Sequence, residues 1–138
     1  MKQSLLNIWV DNYTSKEALL RIEELMAEKD HSYVVFVNTD VIVKAESNHK
    51  LRKILNQADL TLTDGKPLIW ISKLFHSPIK EKVSGSDLVP KLCAYAEKKG
   101  WSVFILGGAA GVPEKAAENL KKSYRRLKIV GTYSTPFY

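Results

Sequence analysis

The sequence predicts an α/β fold, a three-layer sandwich around a mostly parallel sheet of about five strands. Three observations carry that expectation. Short apolar runs alternate with stretches of helical period along the whole chain. No hairpin signal joins neighbouring runs. The apolar runs are short and continuous, as in strands covered on both faces.

The elements follow in order. "LLNIWV" (5–10) reads as the first strand. "TSKEALLRIEELMAEK" (14–29) reads as a helix opened by the capping-box pair Thr14 and Glu17, with Ala18, Ile22, Leu25 and Met26 on one face. "YVVFV" (33–37) is rich in β-branched and aromatic residues and reads as a buried strand. Residues 47–57 read as a helix with Leu51, Ile54 and Leu55 on its apolar side. "LTLT" (60–63) is a short strand. Pro67 suits the first position of the next helix, which continues through "LIWISKLF" (68–75). A polar loop, "HSPIKEKVSGS" (76–86), leads to a helix over 87–99, where Pro90 is expected in the first turn and Gly100 closes the end at C′. "WSVFIL" (101–106) is a strand, 112–126 a helix and "LKIVGTY" (127–133) the last strand.

A chain of 138 residues, 45% hydrophobic and 26% charged, suffices for one compact domain with its own core. The single cysteine, Cys93, excludes an internal disulfide framework and reads as a small buried apolar residue. The opening residues make a poor signal peptide, and no apolar run approaches the roughly 20 residues that cross a bilayer. The expectation is a soluble protein, or one attached to a membrane surface. The net charge of +6 is uneven. Residues 1–69 hold nine Lys/Arg and ten Asp/Glu, for −1, and residues 70–138 hold twelve and five, for +7. The basic half suits nucleic acid, an anionic membrane or a phosphorylated substrate, and equally a solvated lysine-rich face.

Open parallel sheets bind ligands beyond the carboxyl ends of their strands. Asn38, Thr39 and Asp40 follow the strand at 33–37, Asp64 and Gly65 follow 60–63, and "GGAAG" (107–111) follows 101–106. These neighbouring exits are expected to frame one cleft. Asp64 has three readings: a turn residue before Gly65, a cap for the helix that Pro67 starts, or a general base for a hydroxyl nucleophile. Asn38 is either the residue of an Asx turn or a group that orients a sugar or phosphate. The turn holding Gly107, Gly108 and Gly111 has the mechanics of a phosphate loop before a helix N-terminus, but its spacing is neither the dinucleotide nor the Walker pattern. A tight strand-to-helix turn is the other reading. The loop before the 87–99 helix carries Lys80 and Lys82, with Asp87 following; a lysine there suits a diphosphate as a point charge, or the loop is simply solvated, the preferred reading for Lys80. Lys121, Lys122, Arg125 and Arg126 recur at i,i+4 and are expected along one helical face, for anionic headgroups or for water. His31, His49 and His76 are scattered, so a metal site has little support.

Four blocks, "NTDVIVKAE", "ADLTLTDGKPLIWISKLF", "KVSGSDLVPKLCAYAEKKGWSVFILGG" and "GVPEKAAENLKKSY…LKIVGTY", resemble consecutive blocks of the WecG/TagA/CpsF glycosyltransferase family over about residues 5 to 135. The resemblance implies a Rossmann-like fold. It also implies a bacterial enzyme of cell-surface polymer synthesis, acting at the cytoplasmic face of the membrane. Such enzymes move an N-acetylhexosamine, often N-acetylmannosamine, from a UDP-sugar to a polyprenyl-diphosphate-linked sugar. No resident cofactor or metal is implied. By the same resemblance Asp64 is the proposed base, Asn38 the asparagine after the second strand, and Lys82 the basic residue before the "V.GSD" block. Gly107, Gly108 and Gly111 then lie near the nucleotide. Thr39 beside Asn38, and Gly85 and Asp87 within the "GSD" block, join the expected substrate-binding set. Members often carry threonine two residues before the asparagine, where this chain has Phe36. The family also extends well past this segment. The chain is therefore expected to be one C-terminally truncated domain, with self-association through an uncovered sheet edge. Two functions compete. One is the glycosyltransferase, and the other is a catalytically silent domain that binds nucleotide or self-associates. Nucleic-acid binding rests on charge alone, with no aromatic-plus-basic platform or groove-reading motif.

Overall fold

A computed structural model describes residues 1–136. The chain forms two compact units, Met1–Leu88 and one that begins at Val89. The α/β class holds, but the order opens with a hairpin where none was expected, and the described strands form three two-stranded pairs rather than one sheet of about five.

The first unit opens with a hairpin, β1 (Lys2–Leu5) and β2 (Ile8–Asp11), paired antiparallel from Lys2↔Asp11 to Leu5↔Ile8. The single strand expected over 5–10 is thus two strands. Leu6 turns the chain at a φ of 55° without the glycine that usually supplies positive φ in such a turn. Leu5 and Ile8, on either side of the turn, are both buried. Burying two such side chains contributes about 2 kcal/mol each, which outweighs roughly 1–2 kcal/mol for a left-handed leucine.

Helix α1 (Ser15–Glu28) has the capping box, with the Glu17 N–H donating to Thr14 Oγ1 and the Thr14 N–H to Glu17. Its inner face is Ser15, Ala18, Leu19, Ile22 and Leu25, whereas Met26 is exposed. Strand β3 (Val34–Val37) pairs parallel with β4 (Leu60–Thr63) in the register Val34↔Leu60 to Val37↔Thr63. Between them lie two helices, α2 (Thr39–Ser47) and α3 (His49–Asn56), rather than one over 47–57. The β-branched run Val41–Val43 masks α2 in the sequence. Asn48 ends α2 and caps α3 by accepting the Leu51 N–H. Of the residues expected inward on α3, Leu55 is buried and Ile54 exposed.

Strand β2 lies alongside β4. The buried Asp11 carboxylate accepts the Thr61 N–H at 2.8 Å, so a side chain takes a ladder position on that edge. All of β4 is buried, but in β3 only Val37 is, so cover on both faces holds for one of these two strands. Helix α4 (Lys66–Leu74) follows β4. The loop after it is tied down by polar side chains. Asn12 donates to Pro78 O and accepts the Lys80 N–H, and Ser72 Oγ accepts the Ile79 N–H.

Helix α5 (Gly85–Lys99) begins two residues before the expected start, because the Ser84 carbonyl accepts the Leu88 N–H and its hydroxyl the Asp87 N–H. Pro90 is therefore the sixth helical residue, in the second turn rather than the first. Gly100 closes the helix at φ 72°, with the Trp101 N–H returning to the Ala96 carbonyl.

In the second unit β5 (Ser102–Leu106) and β6 (Lys128–Tyr133) pair parallel around helix α6 (Val112–Ser123), with an irregularity between Val103 and Phe104. Cys93, Ala96 and Leu127 form its buried centre, with Trp101, Leu120 and Tyr124 against them. Phe104, Leu106, Val130 and Tyr133 are exposed, so this pair is not covered on both faces. Helix α6 stops three residues short of the expected end. Tyr124 turns into the core, and the Leu127 N–H bonds to its carbonyl. Arg125 and Arg126 thus leave the helical face that Lys121 and Lys122 occupy.

Candidate functional site

The carboxyl ends of β3 and β4 form the first candidate centre. The Asp64 N–H donates to the Val37 carbonyl at 2.8 Å, which extends the β3–β4 ladder by one bond. The next residue, Gly65, sits at φ 111°, a conformation closed to ordinary side chains. That turn swings the chain into α4 and leaves Asp64 at the strand end, half-buried. Helix α4 has Gly65 at its N-cap and no side-chain cap, so Asp64 does not serve as one. Among the described residues its carboxylate has no hydrogen-bond or ion-pair partner. Both oxygens are available to a proton-bearing ligand.

Two contacts, Val83 to Thr63 and Gly85 to Phe36, bring the "KVSGSD" segment to the same end, and a third orders it internally. The Val83 N–H donates to the Thr63 carbonyl at 2.9 Å. Ser84 Oγ donates to Asp87 Oδ2 at 2.6 Å. Gly85 lies against Phe36, where an added Cβ would stand 3.8 Å from the ring. Lys82 pairs with Asp87 at 3.7 Å, both side chains partly exposed. Asp87 therefore orders the start of α5 and holds the Lys82 ammonium. Lys80, by contrast, is drawn to Glu17 at 3.0 Å. Phe36 fills its position by packing on Gly85 rather than by offering a hydroxyl.

Asn38 is the N-cap of α2. Its Oδ1 accepts the Val41 N–H at 2.9 Å, which leaves the side-chain NH₂ as the group directed to other partners. Thr39 is exposed in the first turn of α2. Sequence reasoning missed Thr63. Its hydroxyl is buried and has no partner among the described residues, one position before Asp64. A buried hydroxyl left unpaired costs about 1–3 kcal/mol, so such a group is most at ease with a bound polar atom beside it. The strand pattern "LTLT" held the signal, a polar residue on an all-buried strand.

In the second unit Gly107, Gly108 and Gly111 follow β5 with φ of 113°, 81° and 84°. The Gly107 N–H bonds to the Tyr133 carbonyl, which places the turn at the carboxyl ends of β5 and β6. An added Cβ at Gly107 or Gly111 would meet nothing within 4 Å, so open space borders both. At Gly108 it would stand 3.2 Å from Val112 Cγ1. Helix α6 starts at Gly111 with no side-chain cap, leaving the positive end of its dipole at the turn. Glu114 in the first helical turn accepts from Thr132 Oγ1.

Among the described residues, no three His, Cys, Asp or Glu side chains gather to hold a metal ion. No helix there is long and apolar enough to cross a membrane.

Over 100 residues the chain is 29% identical to the N-acetylglucosaminyldiphosphoundecaprenol N-acetyl-beta-D-mannosaminyltransferase of Bacillus spizizenii strain W23, covering 72% of this chain and 39% of that protein. The protein of the same name from Staphylococcus aureus strain NCTC 8325 is 23% identical over 130 residues, covering 93% of this chain and 51% of its own. The chain thus spans about half or less of the length of these curated relatives. The sequence model of the WecG/TagA/CpsF glycosyl transferase family matches residues 3–138, and the chain belongs to that family.

Proposed function

We propose that this chain supplies the base and the nucleotide-binding turn of a glycosyltransferase that moves an N-acetylhexosamine, of the N-acetylmannosamine type, from a UDP-sugar to a polyprenyl-diphosphate-linked sugar. The observation that carries the reading is Asp64, a carboxylate without a hydrogen-bond or ion-pair partner among the described residues, at the end of a buried strand in a chain that matches the family along its length. The names of the relatives specify the transferred sugar and the lipid-linked acceptor.

The chemistry assigns roles to these residues. Asp64 takes the proton of the acceptor hydroxyl as its oxygen bonds to the anomeric carbon of the donor. The bond from that carbon to the diphosphate breaks, and UDP leaves with the electron pair. The leaving charge needs N–H donors or cations. The open backbone at Gly107 and Gly111 and the uncapped start of α6 suit a diphosphate. Lys82, held by Asp87, and the side-chain NH₂ of Asn38 suit phosphate or sugar oxygens. No metal or cofactor enters these steps. A lipid-linked acceptor together with a UDP-sugar donor supports a reaction at the inner face of the cell membrane, in synthesis of a wall or surface polymer.

Calorimetric titration with UDP tests the reading, with Asp64→Asn and Gly108→Asp alongside and circular dichroism to verify folding. Binding by the wild type and by Asp64→Asn, with loss of at least about tenfold in Gly108→Asp, is expected when a fixed negative charge meets a diphosphate. A folded wild type that takes up no UDP would leave a silent domain as the better account.

A further inference from the structure

Helix α4 presents a second feature that neither the base nor the glycine turn uses. On its outer face Trp70 and Leu74 are 64% and 77% exposed, and Phe75 at the C-cap is exposed at the helix end. Leu68 and Ser72 point inward, so the helix is anchored by one side and bare on the other. Lys66 and Lys73 lie on the outer face at i and i+7, beside Trp70 at i+4 and Leu74 at i+8, so one stripe carries both cations and apolar groups. Neither lysine has an ion-pair partner among the described residues. Residues 65–80 hold three lysines and His76 but no acid.

This composition selects among occupants. A second copy of the chain would bring its own lysines to the same patch, and like charges would oppose contact. An anionic lipid surface answers both halves of the stripe. Tryptophan and leucine enter the boundary between headgroups and acyl chains, and lysines beside them meet lipid phosphate. The position of the helix adds an argument. Its N-terminus adjoins Asp64 through Gly65, and it is about 12 Å from Lys66 to Leu74. A membrane under its outer face would hold Asp64, one residue before the N-cap Gly65, a helix diameter (~10 Å) above the headgroup layer, where a lipid-linked diphosphate sugar presents its hydroxyl.

We propose that the outer face of α4, through Trp70, Leu74, Lys66 and Lys73, docks the protein on an anionic lipid surface and so brings lipid-linked acceptors to Asp64. The consequence for acceptors rests on the glycosyltransferase reading, while the docking itself does not.

Co-sedimentation with vesicles of phosphatidylcholine alone, and of equal parts phosphatidylcholine and phosphatidylglycerol, tests it without donor or acceptor. The full chain is compared with Trp70→Ser/Leu74→Ser, Lys66→Gln/Lys73→Gln and, on α6, Lys121→Gln/Lys122→Gln. Thermal melts and UDP titration verify that each variant is folded. The expected result is binding of the wild type to the anionic vesicles. Loss should be about tenfold or more in each α4 variant, with little change in the α6 variant. The proposal is overturned if the folded wild type ignores anionic vesicles, if the α4 variants bind as it does, or if only the α6 variant loses binding. It also fails if sedimentation without vesicles shows a wild-type dimer that Trp70→Ser/Leu74→Ser dissolves, because the stripe is then a self-contact. UDP binding reports separately. Its loss with docking intact would remove the enzyme reading and leave the surface.

Discussion

Thr63 illustrates how one residue is shaped by two demands. It ends a strand in which every side chain is buried, yet its hydroxyl has no partner among the described residues. Valine has nearly the same shape without the oxygen. Thr63→Val is therefore expected to raise unfolding stability by about 1 kcal/mol, read by urea denaturation. UDP titration of the same variant shows whether a ligand uses the hydroxyl. A variant less stable than wild type would mean that the group finds a protein partner in solution. Cys93 shows the simpler case. It is buried in the centre of the second unit, and that burial pushes its thiol up from the ordinary value. Folded protein is expected to resist iodoacetamide near neutral pH, with labelling only on unfolding. Rapid labelling at full native circular dichroism would contradict that packing.

At the level of the element, caps decide where helices begin. Thr14 and Glu17 satisfy each other's backbone donors at the start of α1. Thr14→Ala is expected to cost about 1 kcal/mol, measured as a shift in the denaturation midpoint. Asn38 and Asn48 do the same work for α2 and α3. Those local signals were legible at Thr14 because Glu17 lies three residues on. The start of α5 was not, because Ser84 acts there among several serines that look alike in sequence. The glycine turn belongs to this scale as well. Gly108→Ala must hold a side chain at a φ of 81° with its Cβ 3.2 Å from Val112. A loss of about 1–2 kcal/mol is expected in thermal or urea unfolding. An unchanged midpoint would show that the turn relaxes to a right-handed conformation.

Across the whole molecule, the first unit is closed by contacts between residues far apart in sequence. Asp59 joins the end of α1 to the start of β3 by accepting from Lys29 and from the Tyr33 N–H. Those two donors, Lys29 first, hold its carboxyl below the ordinary aspartate value. The Thr14 N–H and then Lys80 do the same for Glu17. A lowered native pKa means that the unfolded chain binds the proton more readily. The stabilisation is therefore present above the ordinary carboxylate range and is lost as pH falls through the lowered native values. Asp59→Asn is expected to melt below wild type at neutral pH, with the gap closing in acid. A gap independent of pH would assign the effect of the variant to packing. The sequence by itself determined the α/β class, the strand at 60–63, the capping box, the Gly100 stop and the family blocks around Asp64. Each of these signals acts within a turn or two of chain. Only the tertiary structure decided that Leu6 makes a hairpin, that Asp11 meets Thr61 across fifty residues, that Asn38 spends its oxygen on a cap, and that α4 leaves Trp70 and Leu74 bare. The reason is physical. Caps and turns are settled by neighbouring residues, whereas burial depends on what the distant chain brings to each face.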